Sequence, residues 1–325
     1  MLNNYILIVF IGFLVGLALL FLIRKFAVRN KLLMPQGVPL IGGIALALAF
    51  MIMVKFGFDI ISRETAGIII ASLLMLVFGV IDDWRELSIV AKFLVQIIAT
   101  TILIFFGIRT HIVYIGDLLN IIITFIWVLG IMNALNHLDV MDGLAGGIAL
   151  IAGSALFVIS LLNNDIRTAI LALALIGPLI SFLIYNLPPA KIYMGNSGSH
   201  FLGFVLAAVA LTISYAPMER KIALISPLLI LGFPILDTTF LILVRISKKK
   251  LPFIKSNDHM ALRFLAAGYS KKKALLIMFL WNLFFAFSGI LLSQVSNFQG
   301  VVILVIVVLI SLFSIKKVSR VAIDG

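Results

Sequence analysis

The sequence predicts an all-α protein that crosses a membrane many times. Hydrophobic residues make up 63% of the 325 residues, and the mean hydropathy is +1.25. The apolar residues fall in long runs, and a transmembrane helix needs a run of ~20 such residues. We assign eleven such runs, at residues 4–23, 39–57, 65–81, 89–107, 118–138, 143–162, 167–187, 199–215, 221–246, 274–292 and 299–315.

The basic residues predict the orientation. With the N-terminus outside, alternating connections place eighteen of the 25 Lys and Arg side chains inside and six outside. Cytoplasmic loops carry this excess in membrane proteins. We therefore predict about eleven transmembrane helices in a single domain, residues 1–325, with a cytoplasmic C-terminus. The net charge of +12 is explained mostly by this membrane topology, and some of it can attract anionic lipid or a nucleotide phosphate. No nucleic acid partner is therefore expected.

Two adjacent carboxylates, Asp82 and Asp83, end the third run. Charged groups at a span are costly and usually functional. Adjacent carboxylates repel each other unless a cation lies between them. The pair fits a Mg²⁺ ligand, or a base that takes a proton from a phosphate or hydroxyl. The alternative is a solvated loop with a helix-capping aspartate.

A row of amides and carboxylates follows at a spacing of three: Asn133, Asn136, Asp139 and Asp142. On a helix this spacing places the side chains along one face. Such a row can hold a hydrated metal, and a diphosphate through that metal. A capped loop between spans is the alternative. His137 is out of register and is expected to be an interfacial histidine.

A third motif lies before the eighth run, where Gly195, Ser197 and Ser199 precede a predicted helix. Backbone N–H groups at a helix N-terminus form a nest for anions. An ordinary N-cap by Ser197 or Ser199 is the alternative.

Two further motifs lie near the C-terminal end of the chain. Asp237, within the ninth run, needs a partner or a water-filled cleft, and a structural ion pair would supply one. His259 and Arg263 are four residues apart, so on a helix they share a face that suits phosphate contact. A basic cytoplasmic loop is the alternative there.

In order, these motifs resemble the polyprenyl-phosphate N-acetylhexosamine-1-phosphate transferases of glycosyltransferase family 4. The family includes relatives that act on MurNAc-pentapeptide and on dolichol phosphate. The resemblance covers most of the chain. Its motifs P-R-x-G-G, D-D-x-x-x-L, N-x-x-N-x-x-D-G-x-D-G-L, M-G-D-x-G-S, G-x-P-x-x-D-T and H-x-H-H-R are similar to residues 39–43, 82–87, 133–144, 194–199, 232–238 and 258–263.

The resemblance implies transfer of a sugar-1-phosphate from a UDP-N-acetylhexosamine to undecaprenyl phosphate with release of UMP. The sugar-1-phosphate expected first is GlcNAc-1-phosphate. It implies Mg²⁺, or alternatively Mn²⁺, at a cytoplasm-facing site in the bacterial inner membrane, and leaves a homodimer open. By motif position the catalytic residues are Asp82, Asp83, Asp139 and Asp142. The substrate-binding residues are Asn133, Asn136, Gly195, Ser197, His259 and Arg263, and the metal ligands are Asp139, Asp142 and Asn196.

The chain departs from the family pattern at five positions. Asn196 stands in place of an aspartate, Leu40 of an arginine, Val140 of a glycine, and Ala261 and Leu262 of two histidines. An amide at position 196 brings no charge, so Mg²⁺ binding there should be weaker. An inactive homologue or scaffold is therefore one alternative. A transporter is the other, although its polar groups would lie near mid-membrane and its halves would repeat.

Overall fold

A computed structural model shows the architecture for residues 2–213, 215, 220–249 and 258–321. Helix makes up 80% of the described residues, and these residues add only one isolated parallel bridge, between Leu40 and Tyr193. The all-α prediction is confirmed. The helices are α1 (Leu2–Asn30), α2 (Gly42–Gly57), α3 (Arg63–Trp84), α4 (Ile89–Phe105), α5 (Gly116–Leu138), α6 (Leu144–Leu162), α7 (Ile166–Asn186), α8 (Gly195–Thr212), α9 (Ser226–Ile230), α10 (Gly232–Ser247), α11 (Met260–Ala266), α12 (Lys271–Leu292) and α13 (Asn297–Ser319).

Seven of the described helices are long and apolar enough to cross a membrane, namely α1, α3, α5, α6, α7, α12 and α13. An eighth is added if Lys221–Ile230 and α10 form one span bent by 70°, where the sequence predicted a single run over 221–246. Helices α2 and α4 have 16 and 17 residues, fewer than the ~20 that a perpendicular span needs. The chain is an integral membrane protein, whereas eleven spans and their orientation stay predictions.

Polar N-caps set where several helices begin. Ser62, Ser88, Asp165, Ser270 and Ser296 each accept a hydrogen bond from the backbone N–H three residues later. A cap of this kind satisfies an N–H that has no partner within the helix and contributes about 1 kcal/mol. The polar interruptions between the apolar runs therefore act directly as helix start signals.

Compact packing divides the chain into two units, Met1–Ile213 and Ser214–Gly325; the predicted single domain over 1–325 stays a prediction. In the first unit α7 packs on α1, α2 and α6, and α8 packs on α2, α3 and α5. Two glycines permit the close approach to α8. A Cβ on Gly43 would collide with the Gly198 backbone, and one on Gly79 with the Ser197 backbone. The first turn of α8 is thus held between α2 and α3.

In the second unit α12 is the central helix, in contact with α9, α10, α11 and α13. The short helix α11 lies in the predicted inner loop, residues 247–273. Residues 250–257 of that loop lie outside the described residues. The part that is described carries the second cluster of charged side chains.

Candidate functional site

The carboxylate of Asp82 closes the turn between α3 and α4. Asp82 is 3% exposed; its Oδ1 accepts from the Leu87 N–H at 2.8 Å, and its Oδ2 pairs with Lys92 Nζ at 2.6 Å. Lys92 is therefore a cation of the protein beside Asp82, and the role of the carboxylate pair as a Mg²⁺ ligand or a base stays a prediction. The signal for this pairing in the sequence is a lone lysine within the apolar run of residues 89–107.

Asp83 caps helix α8, although the two are separated by more than a hundred residues in the sequence. Its Oδ1 accepts from Asn196 N at 2.7 Å and its Oδ2 from Ser197 N at 3.0 Å. Gly195 supplies the turn, with φ of +76°. The sequence predicted either a nest for a substrate anion or a cap by Ser197 or Ser199. In the structure the anion at this helix N-terminus is the Asp83 carboxylate.

Asn136 joins the second motif to the third. Its Nδ2 donates to Asn196 Oδ1 at 3.0 Å and to Ser199 Oγ at 2.9 Å. Since Asp83 also holds Asn196, the ends of α3 and α5 and the start of α8 meet at one place. These three motifs therefore converge at one end of the helices in the first unit.

Asp139 and Asp142 do not continue the helical row, because α5 ends at Leu138. The prediction of one helix face from Asn133 to Asp142 is wrong beyond Leu138. Gly143 adopts φ of +79° and starts α6 after a turn, so the two aspartates lie in the α5–α6 connection. Burial raises the pKa of Asp139 to about 7; the nearby carboxylates of Asp83 and Asp142 act in the same direction, against a bond from the Gly195 N–H.

Two amide side chains that the sequence analysis passed over hold this connection in place. Asn186, buried at the end of α7, accepts from the Gly143 N–H at 2.9 Å and donates to the Ile192 carbonyl at 2.9 Å. Gln96 on α4 exchanges amide hydrogen bonds with Asn133, at 2.9 and 3.4 Å. Asn133 thus ties α5 to α4, and its predicted contact with substrate stays a prediction.

His200 lies on α8 and is buried, with neither ring nitrogen hydrogen-bonded within the described residues. The Phe78 ring lies 5.7 Å from its centroid. Its electrostatic neighbours are Asp82, Lys92 and His137. No sequence signal distinguished His200, because a histidine directly after M-G-N-S-G-S is interpreted as part of the helix start.

The junction gathers oxygen donors of the type that a hard cation prefers, and the predicted Mg²⁺ site stays a prediction. The described residues contain no group of three His, Asp or Glu side chains placed to hold a metal among themselves. Carboxylates of Asp83, Asp139 and Asp142 nevertheless repel one another here, and Asn136 and Asn196 add amide groups. Oxygen donors with excess negative charge are what Mg²⁺ uses when water and phosphate complete its shell.

The second cluster lies in the other unit and centres on Asp237. This residue is buried, accepts from the Met260 N–H at 3.1 Å, and lies 3.4 Å from His259 Nδ1. Asp237 therefore has the fixed partners that the sequence required of it, and it holds the start of α11. The predicted contact of His259 with a sugar-diphosphate stays a prediction.

Asp258 and Arg263 form an ion pair within the same cluster. Asp258 Oδ1 lies 2.9 Å from Arg263 Nη2 and 2.8 Å from Lys248 Nζ. Burial alone would raise the pKa of Asp258, but the Lys248 and Arg263 cations outweigh it and lower that pKa below its ordinary value. Arg263 is buried inside its unit, where the sequence predicted a phosphate contact.

Helices long enough to span a membrane end at an acidic, amide-rich junction, a setting that suits transfer of a phosphate group at the membrane surface. The description "glycosyl transferase family 4" belongs to the family model that matches residues 65–214, the part of the chain that builds the junction. The chain belongs to this family, in the group of polyprenyl-phosphate N-acetylhexosamine-1-phosphate transferases. The predicted family is thereby confirmed.

Three relatives illustrate the similarity. A probable undecaprenyl-phosphate N-acetylglucosaminyl 1-phosphate transferase of Bacillus subtilis is 29% identical over 86% of this chain and 80% of its own length. A decaprenyl-phosphate N-acetylglucosaminephosphotransferase of Mycolicibacterium smegmatis is 30% identical over 70% of this chain and 63% of its own length. A phospho-N-acetylmuramoyl-pentapeptide-transferase of Listeria welshimeri is 32% identical over 55% of this chain and 62% of its own length.

Proposed function

We propose that this protein transfers GlcNAc-1-phosphate from UDP-GlcNAc to undecaprenyl phosphate at the cytoplasmic face of a bacterial inner membrane. This would be the first membrane step of a cell-envelope polysaccharide. The observation that carries the proposal is the junction of Asp83, Asn136, Asp139, Asp142 and Asn196 in the first unit. The names of the Bacillus and Mycolicibacterium relatives support N-acetylglucosamine as the sugar.

The reaction balances as a phosphoryl transfer. An oxygen of the lipid phosphate forms a bond to the β-phosphorus of UDP-GlcNAc, the bond from that phosphorus to the bridging oxygen breaks, and UMP leaves with the bridging oxygen. Mg²⁺, held by Asp139, Asp142 and the Asn196 amide oxygen, would supply charge neutralisation on the diphosphate. Positioning and electrostatics are the main demands of such a transfer.

The protein's own side chains meet these demands at the junction. Leu87 N–H and Lys92 fix both oxygens of Asp82, so this carboxylate is held in one orientation, in which we propose that it orients the lipid phosphate. Lys92 also brings a positive charge to a cluster that is otherwise acidic. Asp83 fixes the first turn of α8 and thereby sets the place of Asn196.

The test is UMP release by the detergent-purified protein with undecaprenyl phosphate, Mg²⁺ and a panel of UDP-sugars. We expect UDP-GlcNAc to give the highest rate and chelation of divalent ions to abolish it. No UMP from any UDP-sugar would overturn the proposal and favour a scaffold. Uptake of substrate into vesicles without UMP release would favour a transporter.

A further inference from the structure

Arg263 is enclosed by the second unit on every side. It is 4% exposed, and its guanidinium carbon lies 5.2 Å from the centroid of the Phe240 ring. Nε donates to the Asp258 carbonyl at 3.4 Å and Nη2 to the Asp258 carboxylate at 2.9 Å. Nη1 donates to the carbonyl of Ser319 at 3.3 Å and to that of Val321.

These contacts use most of what an arginine can donate. A guanidinium has five N–H donors, and the four bonds to Asp258, Ser319 and Val321 take four of them. Arginine commonly recognises a phosphate through a fork of two N–H groups aimed at the same anion. Here Nε and Nη2 donate to the backbone carbonyl and the carboxylate of Asp258 instead. The geometry of Arg263 is therefore that of an internal brace.

The brace ends at the C-terminus of α13. The last carbonyls of a helix have no partners within it, and a cation there interacts favourably with the helix dipole. Arg263 supplies both a donor and a cation at Ser319 and Val321. The end of α13 is thus linked, through one side chain, to the segment that carries His259.

His259 lies between two carboxylates that this network fixes. Asp237 holds it from α10, through the ring and through the next N–H. Asp258, the residue before it, is held by Arg263 and by Lys248 at the end of α10. The backbone on both sides of His259 is therefore anchored by charge-assisted bonds, which are stronger than neutral ones.

We propose that Arg263 is a positioning residue: through Asp258 it fixes the segment from Asp258 to Ala266, with His259 in it, and it touches no substrate. The link from His259 to a UDP-sugar rests on the function proposed above. The bracing of the segment by Arg263 does not depend on that function.

The kinetic test compares Arg263→Lys with Arg263→Gln in the full chain. Lysine keeps the charge but cannot reproduce the planar fork, so a positioning role predicts that both variants lose activity alike. We expect kcat to fall by ~10-fold or more in each, with the KM for UDP-GlcNAc changed less than ~3-fold. Lys273→Gln, a surface cation stacked on Tyr269, is the matched control and should match the parent.

Asp258→Asn completes a double-mutant cycle. If Arg263 acts through Asp258, the double variant Arg263→Gln, Asp258→Asn should be no worse than the poorer single variant. A direct phosphate contact predicts another pattern: a KM raised at least ~10-fold in Arg263→Gln, and effects of the two substitutions that multiply. That pattern would overturn the proposal.

Hydrogen exchange provides a readout that does not require catalysis. In Arg263→Gln and Arg263→Lys the amides of residues 258–266 should exchange at least ~10-fold faster, while those of α12 stay at the parent rate. Unchanged exchange in residues 258–266 would refute the bracing role. An inactive parent with accelerated exchange in the variants would retire the proposed function and leave the bracing by Arg263 intact.

Discussion

Asn196 shows how one atom changes the chemistry expected of a site. Its Oδ1 accepts from Asn136 and its N–H donates to Asp83, so the residue is held in place whether it is an amide or an acid. The family pattern has an aspartate there. The departure therefore removes a charge and leaves the local geometry able to accept one.

Restoring that charge should strengthen metal dependence. In Asn196→Asp the Mg²⁺ concentration for half-maximal activity should fall several-fold, because a unit charge at ~4 Å is worth roughly 1–4 kcal/mol depending on the effective dielectric. UMP release across a Mg²⁺ titration measures it. An unchanged or higher half-maximal concentration would mean that position 196 is not a ligand.

The carboxylates of the α5–α6 connection should be indispensable. Asp139→Asn and Asp142→Asn are each expected to lower turnover by ~10² or more, as removal of a principal catalytic group does. Asp82→Asn and Asp83→Asn should also lower it. The control is Asp117→Asn at the opposite end of α5, an exposed acid paired with Arg109. Near-parental UMP release by the Asp139→Asn, Asp142→Asn double variant would contradict the site.

At the scale of elements, the start of α8 is the part on which the site depends. Asp83 caps it, Asn136 bonds to its first turn, and Gly43 and Gly79 let α2 and α3 reach its backbone. Protein interiors are packed too closely to absorb an added methyl group at such a contact. The geometry of the acidic junction and the packing of α3 on α8 are therefore coupled.

A methyl group at that contact should damage both stability and activity. Gly79→Ala places Cβ against the Ser197 backbone, and overpacking of this kind costs about 1–3 kcal/mol. Gly130→Ala on α5 meets no atom within 4 Å, so it should be neutral or gain about 0.5–1 kcal/mol. The midpoint of thermal unfolding in detergent and the rate of UMP release measure the two effects. Equal midpoints for the two variants would refute the close contact.

At the scale of the whole molecule, the orientation in the membrane decides which compartment supplies the substrate. The excess of basic residues in alternate connections predicts that the acidic junction faces the cytoplasm. In that arrangement the proposed UDP-sugar would come from the cytoplasm, and the proposed lipid phosphate would reach the same face from the bilayer. The orientation in the membrane and the cytoplasmic side of the proposed reaction therefore depend on the same distribution of charge.

Cysteine labelling tests the orientation directly, since the chain has no native cysteine. A cysteine at Lys191 or Ser256 should react only with a reagent admitted to the cytoplasm, and one at Asn297 only from outside. Intact cells and permeabilised cells, treated with a membrane-impermeant maleimide, provide the comparison. Labelling at Ser256 from outside would overturn both the orientation and the cytoplasmic assignment of the site.

Local patterns along the chain determined much of the fold. Apolar runs determine where long helices form, and single serine or aspartate residues such as Ser62 and Asp165 determine where some of these helices begin. The order of motifs from Asp82 to Arg263 gave the family. These features depend on residues within a few turns of one another, so propensity, capping and hydropathy are enough to recognise them.

Only the tertiary structure decided which polar groups meet. Asp83 and Asn196 are 113 residues apart, and Asn136 and Asn196 are 60 apart. Only the tertiary structure shows that Lys92 pairs with Asp82 and that α5 ends before Asp139. It also shows that Arg263 binds side chains and carbonyls of its own unit. The physical reason is that a buried polar group must find a partner wherever packing brings one near, and packing between distant helices leaves no periodic trace in the sequence.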